Sequence, residues 1–553
     1  MTDQVIKLME ENRYEEALKE ISVVFKGETT AEDCIYMAEI ERNLGNFLDE
    51  FLAISLGLKK DSTNYELYYM LGNYYYEVEK NLNQAYLAYE NALYWIKDNE
   101  NDKEVIESAL KKTKEDIGCN VRNVSIVIID DVESKEQKEQ LEECIESIRD
   151  NCKDNVYEII PVVKENKSYK ECLQEGNKKA CKNNDIMIMQ SKHRMLRNTL
   201  FTVRMGLYVD ENVACAGCTK NTEESYLHYD EQKISYDEAR KRSYSQNVIS
   251  DDSFMEKIKL SEECLILKQH MRTVVDNLYD FKSLEYIFWD MTLKFVKENK
   301  KNILCKCSRI YLKQDCETQN ESYIEDKDRL SELWGFNVQY YSYCRNEMID
   351  LFEIKNRYDE IDVLEVGCGL GETLNEIINR YPNANVMGIE LMSQIVDIGK
   401  NNRNIIQGNI ENMELDDIQE RFDYIIFGDV LEHLVNPYDV LQKMKKLLKS
   451  EGSIITSLPN VMHYTVVQDL LEGKWDYKES GILDKTHLRF FTLNSAMKMF
   501  YELGFHVIKR SAVIIKDEKF TPLFSSIYET LEDDKKVEFL ISQNIFEIKK
   551  KNR

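Results

Sequence analysis

The residues whose types and spacing could do chemistry lie mostly in the last third of the chain. Glu365-Val366-Gly367-Cys368-Gly369-Leu370-Gly371 closes an apolar run from Ile361 and opens onto a helical pattern, Glu372–Arg380. Glycines at such a point let the chain turn tightly and bring backbone N–H groups against a ligand at a helix N-terminus. The next apolar run, Asn385–Ile389, ends in Glu390, 19 residues beyond Gly371. That is where a carboxylate grips ribose hydroxyls in nucleotide-binding α/β folds. A dinucleotide site would require its third glycine at position 372, which is Glu372 here. With Glu365, Glu390 and Asp429 it predicts an acidic crevice, unfavourable for a pyrophosphate and favourable for a ligand bearing a sulfonium and an ammonium. S-adenosyl-L-methionine fits that description; NAD does not.

A second set of residues suits proton transfer and acceptor binding. His487 is the first candidate for a general base near neutral pH and His463 the second, with Asp429 at a strand end facing the pocket. Trp475 and Tyr477 could stack on a sugar face or pack beneath a loop. Arg489 could pair with an acidic acceptor or with Asp484, and His433 could serve structure or function. Alignment of an acceptor behind a methyl group can supply up to ~7–11 kcal/mol.

These residues need a scaffold, and 553 residues are too many for one core. The expected fold is multidomain, α and α/β. Residues 1–120 hold 25 acids against 13 bases, and all five prolines lie after residue 160. A loose repeat runs from Asn12–Leu18 through Gly45–Phe51 to Asn83–Tyr89, with a period near 34 residues that reads as paired amphipathic helices. Tyr68, Leu71, Gly72 and Tyr75, followed by Ala85, Tyr89 and Ala92, resemble a tetratricopeptide repeat. Such an array either offers a groove to a protein partner or caps the rest of its own chain.

Residues 121–315 change to alternating strand and helix. Val124–Ile129, Tyr157–Val163 and Asp185–Met189 read as strands, with a helix over Leu141–Arg149. Their order predicts a parallel sheet and resembles family-2 glycosyltransferases. In that family a metal-binding Asp-x-Asp motif follows the third strand, whereas Gln190-Ser191-Lys192-His193 stands here. A cation needs hard oxygen ligands, so the segment resembles a degenerate module, with Lys192 in place of part of the metal's charge as one alternative. Glu285 lies where a catalytic acid of the family could fall. Residues 316–345 connect to the third domain, 346–553, and Trp334, Tyr340, Tyr341 and Tyr343 are expected to pack on it.

Glu365–Gly371 resembles the first motif of class I S-adenosylmethionine-dependent methyltransferases. Further matches follow in order: Asn404–Glu411, Phe422–Leu434, Ser457–Val461, Gly473–Tyr477 and Asp484–Thr492. The pattern, over about residues 335–515, is like the ubiquinone-type and MetW-type enzymes and implies a Rossmann-like domain. The resemblance implies cofactor contacts at Glu365, Gly367, Gly369, Gly371, Glu390, Leu391, Asn409, Ile410 and Asp429. Similar domains occur with glycosyltransferase and tetratricopeptide modules in bacterial surface-polysaccharide and flagellin-glycan systems. That implies methyl transfer to a sugar or amino-acid-like substituent of such a glycan. The alternatives are a bifunctional glycosyltransferase/methyltransferase and a non-catalytic scaffold of a glycosylation system.

Composition narrows the partners. A net charge of −27 disfavours nucleic acid; a glycan or glycoprotein acceptor is what the resemblance implies. No apolar stretch is long enough for a membrane span and no secretory start is visible, so the expected address is the cytoplasm. Fourteen cysteines are scattered as in a reducing compartment. The Cys215/Cys218 and Cys305/Cys307 pairs lack histidines at zinc spacing, His193 and His228 being the nearest, so no metal is expected.

Overall fold

The structure is a computed structural model that describes residues 2–97, 99–131, 135–220, 234–260, 264–312, 321–415, 418, 421–515 and 519–551. His228 lies outside them. The chain divides into two compact units, Met1–Trp334 and Gly335–Arg553.

The first unit begins with seven helices: α1 (Thr2–Glu10), α2 (Tyr14–Val24), α3 (Ala31–Leu44), α4 (Phe47–Lys60), α5 (Tyr65–Glu77), α6 (Leu82–Trp95) and α7 (Glu100–Glu115). Each packs on its sequence neighbour. The close approach explains Gly72: a Cβ there would stand 2.3 Å from the Tyr89 ring of α6.

An α/β layer follows within the same unit. It comprises β1 (Val124–Asp130), α8 (Lys135–Asn151), β2 (Tyr157–Val163), α9 (Tyr169–Lys179), β3 (Asp185–Gln190), β4 (His193–Met195), α10 (Thr199–Leu207) and β5 (Val213–Lys220). Then come α11 (Tyr236–Gln246), β6 (Phe254–Lys257), β7 (Leu265–Leu267), α12 (Leu284–Lys297), β8 (Lys301–Leu312) and α13 (Glu321–Trp334). Strand order is β2-β1-β3-β7-β5-β8-β4, with β6 also on β8. The first three strands are parallel, but β7 runs antiparallel to both β3 and β5. The sheet is therefore mixed where alternation alone predicted a parallel one, since β4 and β6 also run antiparallel to β8. The helical layer is tied to this sheet: Arg204 of α10 pairs with Glu90 of α6 at 2.6 Å, both largely buried. Gln84 Nε2 donates to the Met205 carbonyl at 3.0 Å.

After β3 the chain turns at once into β4, with the Gln190 N–H donating to His193 Nδ1 at 3.1 Å. The turn holds Ser191 and Lys192, and His193 is fully buried. Asp210, the next carboxylate along the chain, pairs with Lys301 at 2.8 Å. Glu285 lies in the first turn of α12. Cys215, Cys218, Cys305 and Cys307 lie buried on β5 and β8, and burial pushes the Cys215 and Cys305 thiols well up.

Of the aromatic group near residue 340, Trp334 departs from expectation. It belongs to the first unit, its Nε1 donating to Asp290 at 3.1 Å. Tyr341 packs on the second unit, where its carbonyl accepts from Leu370 N at 2.8 Å.

The second unit contains α14 (Val338–Tyr341), α15 (Asn346–Ile349), β9 (Asp362–Val366), α16 (Glu372–Arg380), β10 (Asn385–Glu390), α17 (Ser393–Gly399), β11 (Ile405–Gln407) and β12 (Phe422–Phe427). It continues with α18 (Pro437–Leu447), β13 (Leu448–Pro459), α19 (Tyr464–Leu471), α20 (Leu493–Glu502), β14 (Phe505–Ile514), α21 (Pro522–Glu529), α22 (Asp533–Leu540) and β15 (Ile541–Lys550). Its sheet runs β11-β10-β9-β12-β13-β15-β14. The first five strands are parallel, and β15 is antiparallel to both β13 and β14. Strand order reverses between β9 and β12, and the crevice beyond the carboxyl ends of those strands is where such sheets bind ligands. Among the described residues no helix is long and apolar enough to cross a membrane.

Candidate functional site

At the carboxyl end of β9 the chain enters the glycine turn. Gly367, Gly369 and Gly371 all have positive φ, at +73°, +55° and +91°. Gly369 cannot be replaced without strain: its Cβ would lie 2.5 Å from the Tyr341 carbonyl oxygen. The turn is anchored to β10, since Gly367 N and Cys368 N both donate to the Ile389 carbonyl.

Glu390, the last residue of β10, is buried and held by three backbone N–H groups. Its Oε2 accepts from Gly369 N at 3.0 Å, and its Oε1 from Leu391 N at 2.8 Å and Met392 N at 3.0 Å. The carboxylate is thus tied to the glycine turn before any ligand arrives. Leu391, beside it, is 61% exposed and offers an apolar face at the strand end. Asn409 is exposed and turns its side chain to Glu411 N at 3.0 Å. Ile410 sits in the apolar core.

The remaining acids differ from the reading of a uniformly acidic crevice. Glu365 is buried, and burial pushes its carboxyl up to about 8, so it is mainly protonated at neutral pH. Asp429 has a left-handed backbone, φ +55°. Its Oδ2 lies 2.7 Å from Arg345 Nη2, and its Oδ1 accepts from Ser457 Oγ at 2.7 Å and from Gln543 Nε2. A carboxylate so engaged positions the strand end and is poorly placed to take a proton. Arg345 gave no signal in the sequence; its aliphatic stem and Nε pack against Gly428.

The histidines separate. His463 precedes α19, is 1% exposed and bonds Thr465 Oγ1 through Nδ1 at 2.8 Å. Burial brings its imidazole down to about 4, so it is neutral at working pH and enclosed. His433 and His487 come together, with ring centroids 4.7 Å apart. His433 Nδ1 lies 3.2 Å from the Thr486 carbonyl and His487 Nδ1 lies 3.0 Å from the Ile482 carbonyl. Both contacts are made through Nδ1, which leaves the Nε2 atoms available. Glu432 joins them: it is 1% exposed, and neither carboxylate oxygen has a partner among the described residues. Burial, with the nearby Asp429 charge, pushes its carboxyl well up. One ligand atom from each of Glu432, His433 and His487 lies within 4.8 Å of the others. Two imidazole nitrogens and a carboxylate oxygen are a donor set for a divalent cation, with the carbonyls on Nδ1 as the orienting outer partners. Spacing of histidines alone did not reveal it, because His433 and His487 are 54 residues apart in the chain.

This corner is closed by backbone bonds: Leu488 N and Arg489 N both donate to the Glu432 carbonyl, at 2.8 and 2.9 Å. Arg489 turns to the Val435 and Leu488 carbonyls, not to Asp484. Trp475 and Tyr477, 39% and 56% exposed, both lie against Phe490, at 5.5 and 6.3 Å, and His487 is 6.4 Å from the same ring.

Residues 336–510 match the model of a family described as a methyltransferase domain, so a methyltransferase domain lies in the C-terminal part of the chain. The match is consistent with S-adenosyl-L-methionine as cofactor. A ubiquinone biosynthesis O-methyltransferase from Coxiella burnetii is 33% identical over 104 residues, 18% of this chain and 43% of that protein. A malonyl-[acyl-carrier protein] O-methyltransferase from Priestia megaterium is 27% identical over 103 residues, 18% of this chain and 36% of that one. The chain thus spans less than half the length of these curated relatives. Among solved structures, PKMT2 from Rickettsia typhi in complex with AdoHcy shares 16% identity at a TM-score of 0.26, covering 35% of this chain and 49% of that one.

Proposed function

We propose that the chain is an S-adenosyl-L-methionine-dependent methyltransferase acting on a sugar or amino-acid-like substituent of a bacterial surface or flagellar glycan. The observation that carries the first half is the tie between Glu390 and the N–H of Gly369. It sets a ribose-binding carboxylate and a backbone cradle in register at the point where strand order reverses. The cofactor supplies an activated methyl group. The chain's task is to seat it against Gly367–Gly371, align the acceptor behind the methyl carbon and remove the acceptor's proton if it is a hydroxyl.

His487 is the base this reading favours, with Trp475 and Tyr477 on the acceptor side. His463 is enclosed, and Asp429 is paired with Arg345. The Glu432–His433–His487 group favours a second version of the same reaction. There Glu432, His433 and His487 would hold a divalent cation, with His487 as a ligand, and the cation would supply Lewis-acid activation of an acceptor hydroxyl.

The substrate class rests on the resemblance of residues 1–120 to tetratricopeptide repeats and of 121–315 to a glycosyltransferase without its metal carboxylates. A partner-binding array and a sugar-shaped module would present a glycan. Mass spectrometry of surface glycans and flagellin from a deletion strain tests it. The expected result is loss of one CH₂ per modified glycan, restored by the wild-type chain and not by His487→Ala. An unchanged glycan profile contradicts the substrate assignment.

A further inference from the structure

The first unit holds a cleft of about 700 Å³ lined by Thr63, Tyr65, Trp95, Asn99, Arg197 and Tyr244, among others. That volume lies within the ~300–1,000 Å³ spanned by small-molecule sites. One wall comes from the α4–α5 turn, the first turn of α5 and the α6–α7 connection. The other comes from the turn before α10 and from α11.

Arg197 is the cleft's central feature. Its guanidinium carbon is 4.9 Å from the Trp95 ring centroid and 4.1 Å from that of Tyr244. Its main chain is fixed: the Arg197 carbonyl accepts from Asn247 Nδ2 at 2.8 Å. The next residue, Asn198, is buried in a left-handed turn and donates to Tyr68 Oη at 2.9 Å. Yet among the described residues the guanidinium has no hydrogen bond and no ion pair; the two rings are its contacts. Arg13, Arg42, Arg194 and Arg204 in the same unit each have a glutamate partner, whereas Arg329, like Arg197, lies over an aromatic ring; Arg197 differs in lining a cleft. A planar fork of five donors, stacked on aromatic faces and lacking an acid, is shaped to receive a carboxylate or phosphate.

A second donor is also unanswered. Trp95 Nε1 is buried and has no acceptor among the described residues, although buried indole N–H groups usually find one. Two described acids near the cleft are already engaged: Asp102 accepts from Tyr65 Oη at 2.7 Å and from Asn99 Nδ2 at 2.6 Å, and Asp61 accepts from Thr63. What faces the cleft is two cations, Arg197 and the exposed Lys97, and three aromatic rings.

We propose that this cleft binds an anionic pyranose, a sugar carrying a carboxylate. The Arg197 fork takes the carboxylate, and the aromatic lining of Tyr65, Trp95 and Tyr244 packs on the C–H face of the sugar. The site lies wholly within the first unit and does not depend on the methyl-transfer reading.

Calorimetry and saturation-transfer NMR on the full chain, with glucuronate, glucose, glucose 6-phosphate and inorganic phosphate as probes, test it. Glucuronate is expected to bind at least about tenfold more tightly than glucose or inorganic phosphate, a gap of ~1.4 kcal/mol. Arg197→Met should abolish that preference. Tyr244→Leu, at a ring 39% exposed and so tolerant of change, should weaken glucuronate several-fold while leaving the unfolding temperature in place. Equal binding of glucose and glucuronate, unchanged glucuronate binding in both variants, or no binding of any probe would overturn the proposal. Tighter binding of glucose 6-phosphate or inorganic phosphate would overturn its carboxylate assignment.

Discussion

Arg345 Nη2 and Asp429 Oδ2 lie 2.7 Å apart, joining the segment before β9 to the end of β12. The pair is partly buried, with side chains 16% and 21% exposed, and Asp429 carries a left-handed backbone. Removing Asp429 would leave the guanidinium with its aromatic neighbour Tyr343 and a longer contact to Glu347. Asp429→Ala should therefore cost about 1–3 kcal/mol of stability, read as a lowered denaturant midpoint. Asp429→Asn, which keeps the hydrogen bond from Ser457, should cost less. Equal loss in both variants would argue that charge pairing is the whole effect.

Glu365 gives stability a defined pH dependence. Its folded value of about 8 lies above the ordinary 4.5, so the native chain holds that proton more tightly than the unfolded chain. The resulting stability is complete below 4.5 and is lost as pH rises toward 8. Glu365→Gln mimics the protonated form. Its melting temperature should hold up better than the wild type's over that window, whereas parallel curves would contradict the assignment.

Two glycines separate cradle from strain. Gly369→Ala meets both a positive φ and the Tyr341 carbonyl at 2.5 Å, while Gly473→Ala meets only a positive φ of +79° in open space. Gly473→Ala should lower stability by about 1 kcal/mol and leave cofactor affinity unchanged. Gly369→Ala should weaken cofactor binding at least tenfold. Similar affinities in the two variants would remove the turn from the binding site.

The Glu432–His433–His487 group should bind a divalent cation. Titration of the metal-free chain with zinc or manganese is expected to release heat, and Glu432→Gln and His487→Ala should each remove most of it. Heat that persists in the double variant would place the cation elsewhere. No heat in the wild type would rule out the metal version and leave His487 as the base.

The sequence revealed what local pattern encodes. The apolar runs ending at Val366 and Ile389, the glycine turn and Glu390 all fall where spacing put them, because strand, turn and helix N-terminus are contiguous in the chain. It did not reveal what is assembled across distance. Arg345 meets Asp429 over 84 residues and His433 meets His487 over 54, and no periodicity marks such pairs. The crevice also reads as more acidic in sequence than in structure, since burial protonates Glu365 and Arg345 offsets Asp429. His487 ranks ahead of His463 in the sequence, and the structure separates them by their neighbours: His487 meets His433, whereas His463 is enclosed against Thr465.

The central claim is that S-adenosyl-L-methionine binds at the glycine turn with Glu390 as its ribose anchor. Isothermal titration of the full chain with the cofactor and with its demethylated product measures this directly. The account predicts saturable binding of both, weakened in Glu390→Ala by about 1.5–3 kcal/mol, the worth of a charge-assisted hydrogen bond. No heat with either ligand on folded protein, or unchanged affinity in Glu390→Ala, would contradict it.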